Sequence, residues 1–377
     1  MRLRNVFAVG AAVCLAVGLT GAPAAAAEAA TWQLVTPVAP EWQKFNGGDI
    51  QVFGPDSALM QGSTNATICW ECTDQRHTWQ WGGTQWTDVA TPPKQVPVKA
   101  MTGTALDDRW LFGEYEPATD GIYRGYHWDG RTWTDRSPAP RTFQPQAAEA
   151  SARDDVWVAG DDRTTGGWQP AVARWNGQSW AITKLPSVTS SVSLAGIHRT
   201  GPREVWVVGQ KHLGNATGSV YLARWDGEVW TEVQAPVGSG PYGWRTTKIA
   251  GRVGDVWIAG QDPATKCALT LHWDGSGFTK QNICGPASSP AQTVTALTEF
   301  EGEWLLGITP SAIGSARADG ALRRWTGAAW QVVTGPYART TDVTELEPIP
   351  GGGLWMIAQG GAATGPVSNR EVWRLAS

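Results

Sequence analysis

The sequence predicts an all-β fold, a seven-bladed β-propeller with four antiparallel strands in each blade. The main observation is a hairpin motif in which a tryptophan is followed by a turn and, five residues after it, by a second aromatic residue. Copies of the motif begin at Trp81, Trp128, Trp175, Trp225, Trp273 and Trp325. Their spacing of about 50 residues is typical of propellers and other repeat arrays. The composition agrees, because charged residues make up only 17% of the chain beside 45 glycines and 24 prolines, which suits short strands joined by turns.

Each repeat unit is predicted to contain four strands in a fixed order. The first is short and apolar, as in residues 98–101, and the second is a continuous apolar run, as in residues 156–160. A run without alternation fits a strand that is buried on both faces. The third strand ends at the first tryptophan of the hairpin motif, and the fourth begins at the second aromatic. The Asp-Gly pair between them adopts the positive φ angles of a tight turn, so the two aromatic residues are expected to pair across the strands.

The aromatic positions indicate seven repeat units. Second strands carry Leu59, Trp110, Trp157, Trp206, Trp257, Trp304 and Trp355; third strands carry the six motif tryptophans and Trp373; fourth strands carry Trp32, Trp86, Trp133, Trp180, Trp230, Phe278 and Trp330. Trp32 has no third strand before it, and Trp373 has no fourth strand after it. The two ends of the chain are therefore predicted to complete one blade together, which closes the ring and removes exposed sheet edges.

The first residues predict export. Arg2 and Arg4 precede an apolar stretch over residues 6–19 and a small-residue-rich segment over 22–30. This order is typical of a secretory signal peptide, here residues 1–27, followed by one propeller domain over 31–377. We expect free secretion and an extracellular location, without a membrane span. The net charge of −4 and the lack of a basic run argue against nucleic acid as a partner.

Four cysteines remain after the predicted cleavage. If Trp273 faces Phe278 in its hairpin, Cys267 lies directly opposite Cys284, within disulfide distance. Cys69 and Cys72 are separated by two residues, and we expect a small disulfide ring that presents Trp70. A zinc site with His77 is the alternative, although a fourth ligand is missing, and we predict neither a metal site nor a cofactor.

The repeats resemble those of secreted bacterial seven-bladed propellers with D-V-W-x-x-G and W-D-G-x-x-W motifs, loosely similar to kelch and galactose-oxidase-type propellers. The resemblance covers residues 31–377 and implies the fold. It implies no catalytic residues, because the motifs depart from each related pattern. Kelch repeats have a glycine pair after the second strand, whereas Asp161, Gln210 or Gln261 follows a single glycine here. The sialidase motif is D-x-G-x-x-W, whereas these copies contain D-G-x-x-W.

One face of a propeller holds the connections from second to third strands and those between blades; we call it the long-loop face. Here these connections are long and dissimilar, with the within-blade ones at residues 62–77, 113–122, 160–170, 209–219 and 307–320. Variable loops on a rigid scaffold are the usual place for function. Candidate ligand-binding residues on this face are Trp42, Trp70, Trp168, Trp244, Tyr115, Tyr242, Tyr337, Asp161 and Asp162. For each aromatic, the alternative is a structural role in capping the end of a blade.

Two repeated polar positions lie outside these loops. Residues just before the third-strand tryptophan, such as His127, Arg174 and His272, are expected to bridge blades or bind backbone. Acids that precede the second strand, such as Asp155 and Glu204, are expected to bond their own backbone in turns.

The sequence favours a secreted, monomeric, non-catalytic module that binds carbohydrate or an extracellular protein through loop aromatics. No G-x-S-x-G, H-E-x-x-H or P-loop motif is present. The alternative is an extracellular polysaccharide hydrolase or lyase, in which Asp161 and Asp162 face Glu114 and Glu116. A ring that serves only as a scaffold is the third hypothesis.

Overall fold

Seven four-stranded antiparallel sheets make up the computed structural model of the chain. The structure describes residues 31–36, 43–66, 75–89, 98–115, 122–139, 142–162, 169–186, 191–214, 217–241, 245–284, 292–310, 321–333, 335–336, 340–360 and 370–376. The sheets confirm the predicted seven-bladed propeller.

Six blades follow one another along the chain, and the seventh joins its two ends. Blade 1 contains β2 (Gln43–Gly54), β3 (Ser57–Ala66), β4 (Gln75–Trp81) and β5 (Trp86–Asp88). Blade 2 contains β6 (Val98–Ala105), β7 (Asp108–Tyr115), β8 (Ile122–Trp128) and β9 (Trp133–Asp135). Blade 3 contains β10 (Phe143–Ala152), β11 (Asp155–Asp162), β12 (Gln169–Trp175) and β13 (Trp180–Lys184). Blade 4 contains β14 (Val192–Gly201), β15 (Glu204–Gly214), β16 (Thr217–Trp225) and β17 (Trp230–Glu232).

Blade 5 contains β18 (Arg245–Arg252), β19 (Asp255–Gln261), β20 (Ala268–Trp273) and β21 (Phe278–Ile283). Blade 6 contains β22 (Gln292–Phe300), β23 (Glu303–Pro310), β24 (Leu322–Trp325) and β25 (Trp330–Val332). Blade 7 contains β26 (Thr340–Pro348), β27 (Leu354–Gly360) and β28 (Glu371–Leu375), with β1 (Trp32–Leu34) as its outermost strand. First strands of adjacent blades contact one another around the whole ring, including β26 with β2.

Tryptophans form the core between the blades. Each hairpin motif pairs its two aromatics directly, as in Trp175 with Trp180. Among the described residues, five of the seven junctions between neighbouring blades share one contact. In each, a second-strand tryptophan packs against the two aromatic residues of the hairpin motif in the next blade, with ring centroids 5.0–6.5 Å apart. Trp355 of blade 7 packs in this way on Trp81 and Trp86 of blade 1, across the point where the ring closes. These large buried rings stabilise the wedge between radial sheets.

The hairpin turns are fixed by their own residues. Asp129 Oδ1 accepts hydrogen bonds from the backbone N–H groups of Arg131 at 2.9 Å and Thr132 at 2.8 Å. Gly130 has a φ of +91°, and a Cβ there would lie 2.9 Å from the Cβ of Asp107. Glycine is therefore required both for the backbone angle and for the close approach.

The closing blade differs in register from the hairpins. Trp32 pairs with Leu375 and Leu34 pairs with Trp373, so the two tryptophans are offset by two residues. No turn links β1 to β28, and the register is set instead by hydrogen bonds: Val35 N–H donates to the Val372 carbonyl and Val372 N–H donates to Thr36 Oγ1, both at 2.9 Å.

The two repeated polar positions bind each other within a blade, which differs from the backbone bonds expected for the acids. The expected bridge between blades is present at Arg174, whose guanidinium carbon lies 5.5 Å from the ring centroid of Trp225 in blade 4. Asp155 Oδ1 lies 3.0 Å from Arg174 Nε, and Asp108 Oδ1 lies 2.7 Å from His127 Nε2. Each pair connects the second and third strands of one blade. The third-strand side chain also stacks on the second-strand tryptophan, as His127 does on Trp110 with ring centroids 4.4 Å apart. Packing on that ring fixes the side chain where it meets the acid.

Some residues predicted as loops are strand. Within 62–77 and 209–219, β3 continues to Ala66 and β15 to Gly214, and His212 pairs with Gly218. Trp79, which has no place in the repeat, is buried in β4 and stacks on His77. No described segment is a helix with the length and apolarity needed to cross a membrane.

Candidate functional site

Most of the predicted loop aromatics lie outside the described residues. This holds for Trp42, Trp70, Trp168, Trp244, Tyr242 and Tyr337, and also for Cys69 and Cys72. Of Tyr115 only the backbone is described, as the last residue of β7. Their roles stay predictions.

Asp161 and Asp162 lie at the end of β11 on the long-loop face, and both are buried rather than solvated. Asp162 Oδ1 accepts a hydrogen bond from Thr142 Oγ1 at 3.3 Å, and its other carboxylate oxygen lies 3.6 Å from Lys184 Nζ. The structure does not describe the side chain of Glu114 or any part of Glu116. The pairing of Asp161 and Asp162 with Glu114 and Glu116 as catalytic carboxylates stays a prediction.

The predicted disulfide between Cys267 and Cys284 is present, with 4.5 Å between the Cα atoms. It follows from the hairpin register, in which Trp273 pairs with Phe278 and Ala268 with Ile283. The bond ties the long-loop ends of β20 and β21 together. A disulfide of this kind is consistent with an oxidising compartment.

The central channel of the ring is a cavity of about 680 Å³, lined by residues from the first strands of all seven blades. Much of the lining is small and uncharged, as at Ala100, Thr102, Gly196 and Ala250. Charged side chains also lie in this wall, and those that are buried interact more strongly than they would in water.

Four charged residues converge in this channel, and we call them the channel cluster: Asp49 of β2, Lys248 of β18, and Glu345 and Glu347 of β26. Lys248 Nζ lies 3.3 Å from Glu345 Oε2 and 3.5 Å from Oε1. These two residues belong to blades 5 and 7, so the ion pair passes over blade 6. Glu345 is only 6% exposed.

The cluster holds more negative than positive charge, and the pKa values respond. Burial raises the pKa of Glu345 to about 7; the Lys248 ammonium opposes this rise and Asp49 adds to it. Burial and the Glu345 carboxylate raise the pKa of Glu347 well above its ordinary value. The Glu345 carboxylate raises the pKa of Lys248. Near neutral pH, the glutamate pair therefore retains a proton that solvated glutamates would have released.

A second charged pair, Glu149 and His198, also lines the channel. Glu149 Oε2 lies 3.1 Å from His198 Nδ1 and accepts a hydrogen bond from Arg199 N–H at 3.0 Å. His198 Nε2 lies 2.9 Å from the Gly251 carbonyl. Burial lowers the pKa of His198, but Glu149 and that carbonyl outweigh it, so the net shift is upward.

The sequence analysis did not find the channel cluster. The repeat gives no signal for it, because the first-strand residue opposite the second-strand tryptophan is glutamate in blades 3, 6 and 7, at Glu149, Glu299 and Glu347. Which blades face each other across the channel is not recorded in any local pattern. Among the described residues, no three His, Cys, Asp or Glu side chains are grouped so that they could hold a metal ion.

Comparison with known proteins finds likeness in structure alone. No protein-family model matches the chain, and no curated protein matches its sequence. A solved structure of YCF48 bound to D1 peptide is similar, with a TM-score of 0.57 and 14% identity over 93% of this chain and 97% of that chain. YCF48 from Cyanidioschyzon merolae gives a TM-score of 0.57 and 10% identity over 92% and 99% of the two chains. A GH74 xyloglucanase from Xanthomonas campestris gives 0.56 and 16% identity over 92% of this chain and 55% of that enzyme. Binding proteins and hydrolases thus share this propeller fold, and the likeness shows the fold alone.

Proposed function

We propose that the protein is a secreted, non-catalytic binding module that recognises an extracellular polypeptide through its long-loop face. The observation that carries the proposal is the separation of the tryptophans into two sets. Second-strand and hairpin tryptophans pack against one another between blades. Trp42, Trp168 and Trp244 have no position in the sequence repeat, and we propose them as the residues that contact the ligand.

The attachment points of these three tryptophans support a common surface. Gln43, Gln169 and Arg245, the residues that follow them, begin β2, β12 and β18. First and third strands run in the same direction in an antiparallel sheet and begin at the same face of the propeller. The described strand that follows each tryptophan in the sequence therefore begins at the long-loop face.

A polypeptide ligand is favoured over a carbohydrate by the charge in the channel, since buried ionic groups match charged side chains better than neutral sugars. The likeness to YCF48, whose structure contains a bound peptide, supports the same choice at the level of the fold. The disulfide supports an extracellular location.

The test is a parallel screen of the purified protein against a peptide array and a glycan array. Trp168→Ala and Trp244→Ala are each expected to weaken peptide binding by roughly tenfold or more, as loss of an aromatic anchor does. Arg131→Ala, an exposed change on the opposite face, serves as the control and is expected to bind normally.

Three outcomes would contradict the proposal. Binding confined to the glycan array would make the ligand a carbohydrate. Cleavage of a polysaccharide that Asp161→Asn abolishes would support the hydrolase alternative. Peptide binding that neither tryptophan variant weakens would remove the long-loop face from the site.

A further inference from the structure

Hydrogen-bond acceptors outnumber donors in one part of the central channel. Lys248 contributes the one ammonium of the channel cluster, and its contact is with Glu345 at 3.3 Å. Glu347 lies two residues after Glu345 on β26 and lines the same cavity, and Asp49 of β2 is a third carboxylate in that wall. Carboxyl groups held together in a partly dry site repel one another unless a proton or a cation separates them.

A neutral acceptor in the same wall is also without a donor. Gln51 lies two residues after Asp49 on β2 and lines the cavity. Its amide nitrogen reaches Thr102 Oγ1 at 3.5 Å and the Gly103 carbonyl at 3.4 Å. Its buried Oε1 has no hydrogen-bond partner among the described residues. A buried acceptor without a donor is costly and calls for a ligand or solvent group that donates.

Glu149 provides an internal contrast in the same channel. Its carboxylate already receives His198 and a backbone N–H at 3.0–3.1 Å. Among the described channel residues, Glu149 of blade 3 thus has donors at its carboxylate, whereas Gln51 of blade 1 has none at Oε1.

We propose that the channel cluster, together with Gln51, is a binding site for a cationic hydrogen-bond donor, namely the guanidinium or ammonium group of a basic side chain on the ligand. The inference rests on the proposed polypeptide-binding function and names the chemistry of its central contact. A cavity of about 680 Å³ is large enough for one such side chain. A bare metal ion fits less well, because the described acids do not group as metal ligands.

The proton balance follows from the groups that face Glu347. These are Glu345 on its own strand, Lys248 on β18 and Asp49 on β2, with Lys99, Glu149 and His198 elsewhere in the wall. The entering cation takes the place of the proton held by the glutamate pair, and that proton passes to solvent. Binding therefore strengthens as the pH rises through about 7, the pKa of Glu345.

The experiment is isothermal titration of the protein with a short arginine-containing peptide and with the same peptide carrying citrulline, the neutral analogue of arginine. The arginine peptide is expected to bind roughly tenfold or more tightly than the citrulline peptide, and Glu347→Gln is expected to remove that preference. Glu149→Gln, which removes a channel carboxylate outside the cluster, should keep the preference. A melting curve for each variant establishes that it is folded.

Equal binding of the two peptides, or an unchanged preference in Glu347→Gln, would overturn the proposal. Titrations with spermidine and with calcium chloride test the other sources of positive charge. Spermidine binding without arginine-peptide binding would identify a free polyamine as the ligand and contradict the proposal. Calcium binding alone would identify a metal site and would contradict it as well. Peptide binding that depends on Trp168 but not on Glu347 would leave the proposed function intact and refute this site.

Discussion

At the scale of single residues, the second-strand tryptophans differ in what their indole N–H groups bind. Trp206 donates to Glu204 at 2.7 Å, and Trp157 donates to Asp155 at 3.0 Å. The N–H groups of Trp110 and Trp257 have no hydrogen-bond partner among the described residues. In those two blades the acid binds a histidine of the third strand, where the other two blades have an arginine. This difference in the third strand accompanies the loss of the bond between the carboxylate and the indole N–H.

This network predicts unequal costs for the same change in two blades. Glu204 is buried and serves both Trp206 and Arg224, so Glu204→Ala should lower the free energy of unfolding by about 1–3 kcal/mol by leaving buried donors unpaired. Glu303→Ala, a change to the acid that pairs with the corresponding third-strand arginine of blade 6, removes only a solvent-exposed pair with Arg324 and should cost less than about 1 kcal/mol. Urea unfolding of both variants measures the difference, and similar losses would refute the assigned role of Glu204.

At the scale of elements, the outermost strand of blade 7 is the one that comes from the other end of the chain. β1 has only three residues, yet it pairs with β28 and is followed by the hydrogen bonds of Val35 and Thr36 to Val372. Without it, β28 would present an unpaired edge and blade 7 would lose its outer strand. An exposed edge of this kind favours aggregation.

Deletion of residues 31–37 is therefore expected to abolish cooperative thermal unfolding, measured by calorimetry and near-ultraviolet circular dichroism. Deletion of residues 1–30 is the matched control, since it leaves β1 in place, and it should unfold cooperatively. A soluble protein that still melts in one sharp transition after loss of 31–37 would contradict the role of β1 in closing the ring.

At the scale of the whole molecule, the ring brings together charges that are far apart in the sequence. Asp49 and Glu345 are contributed by the first and last blades, and Lys248 of blade 5 lies 3.3 Å from Glu345. Burial of Glu345 and Glu347 opposes ionisation of their carboxyl groups, and this links the stability of the ring to pH.

We expect the melting temperature to fall as the pH rises from about 5 to about 7.5. Burial raises the pKa of Glu345 from 4.5 to about 7, so across this window the folded protein holds a proton that the unfolded chain has released. His198 acts in the same direction. Burial lowers its pKa, but the Glu149 carboxylate outweighs burial, so the net shift of the pKa is upward. The stabilisation that results is lost as the pH rises through this raised pKa. Burial raises the pKa of Asp108, but its hydrogen bond with His127 outweighs burial, so the net shift of the pKa is downward. The stabilisation from Asp108 is therefore lost only at acid pH, below this window.

Glu347→Gln should flatten this slope and raise the melting temperature at the upper end of the window, because glutamine mimics the protonated carboxyl group. Glu228→Gln, a change at an exposed carboxylate, is the control and should keep the wild-type slope. Calorimetry at a series of pH values measures both. A wild-type melting temperature that is constant or rises over the window would show that the cluster does not titrate as described.

The sequence by itself determined the blades, their number and their hairpins, because these depend on residues close together in the chain. The Asp-Gly turn sets the register of its own hairpin, and that register places Cys267 opposite Cys284 without further information. The tertiary structure alone decided the two-residue offset of Trp32 from Trp373, the burial of Asp161 and Asp162, and the meeting of Lys248 with Glu345. Those features depend on how the seven sheets are arranged around the channel, and no local pattern records which blades face one another across it.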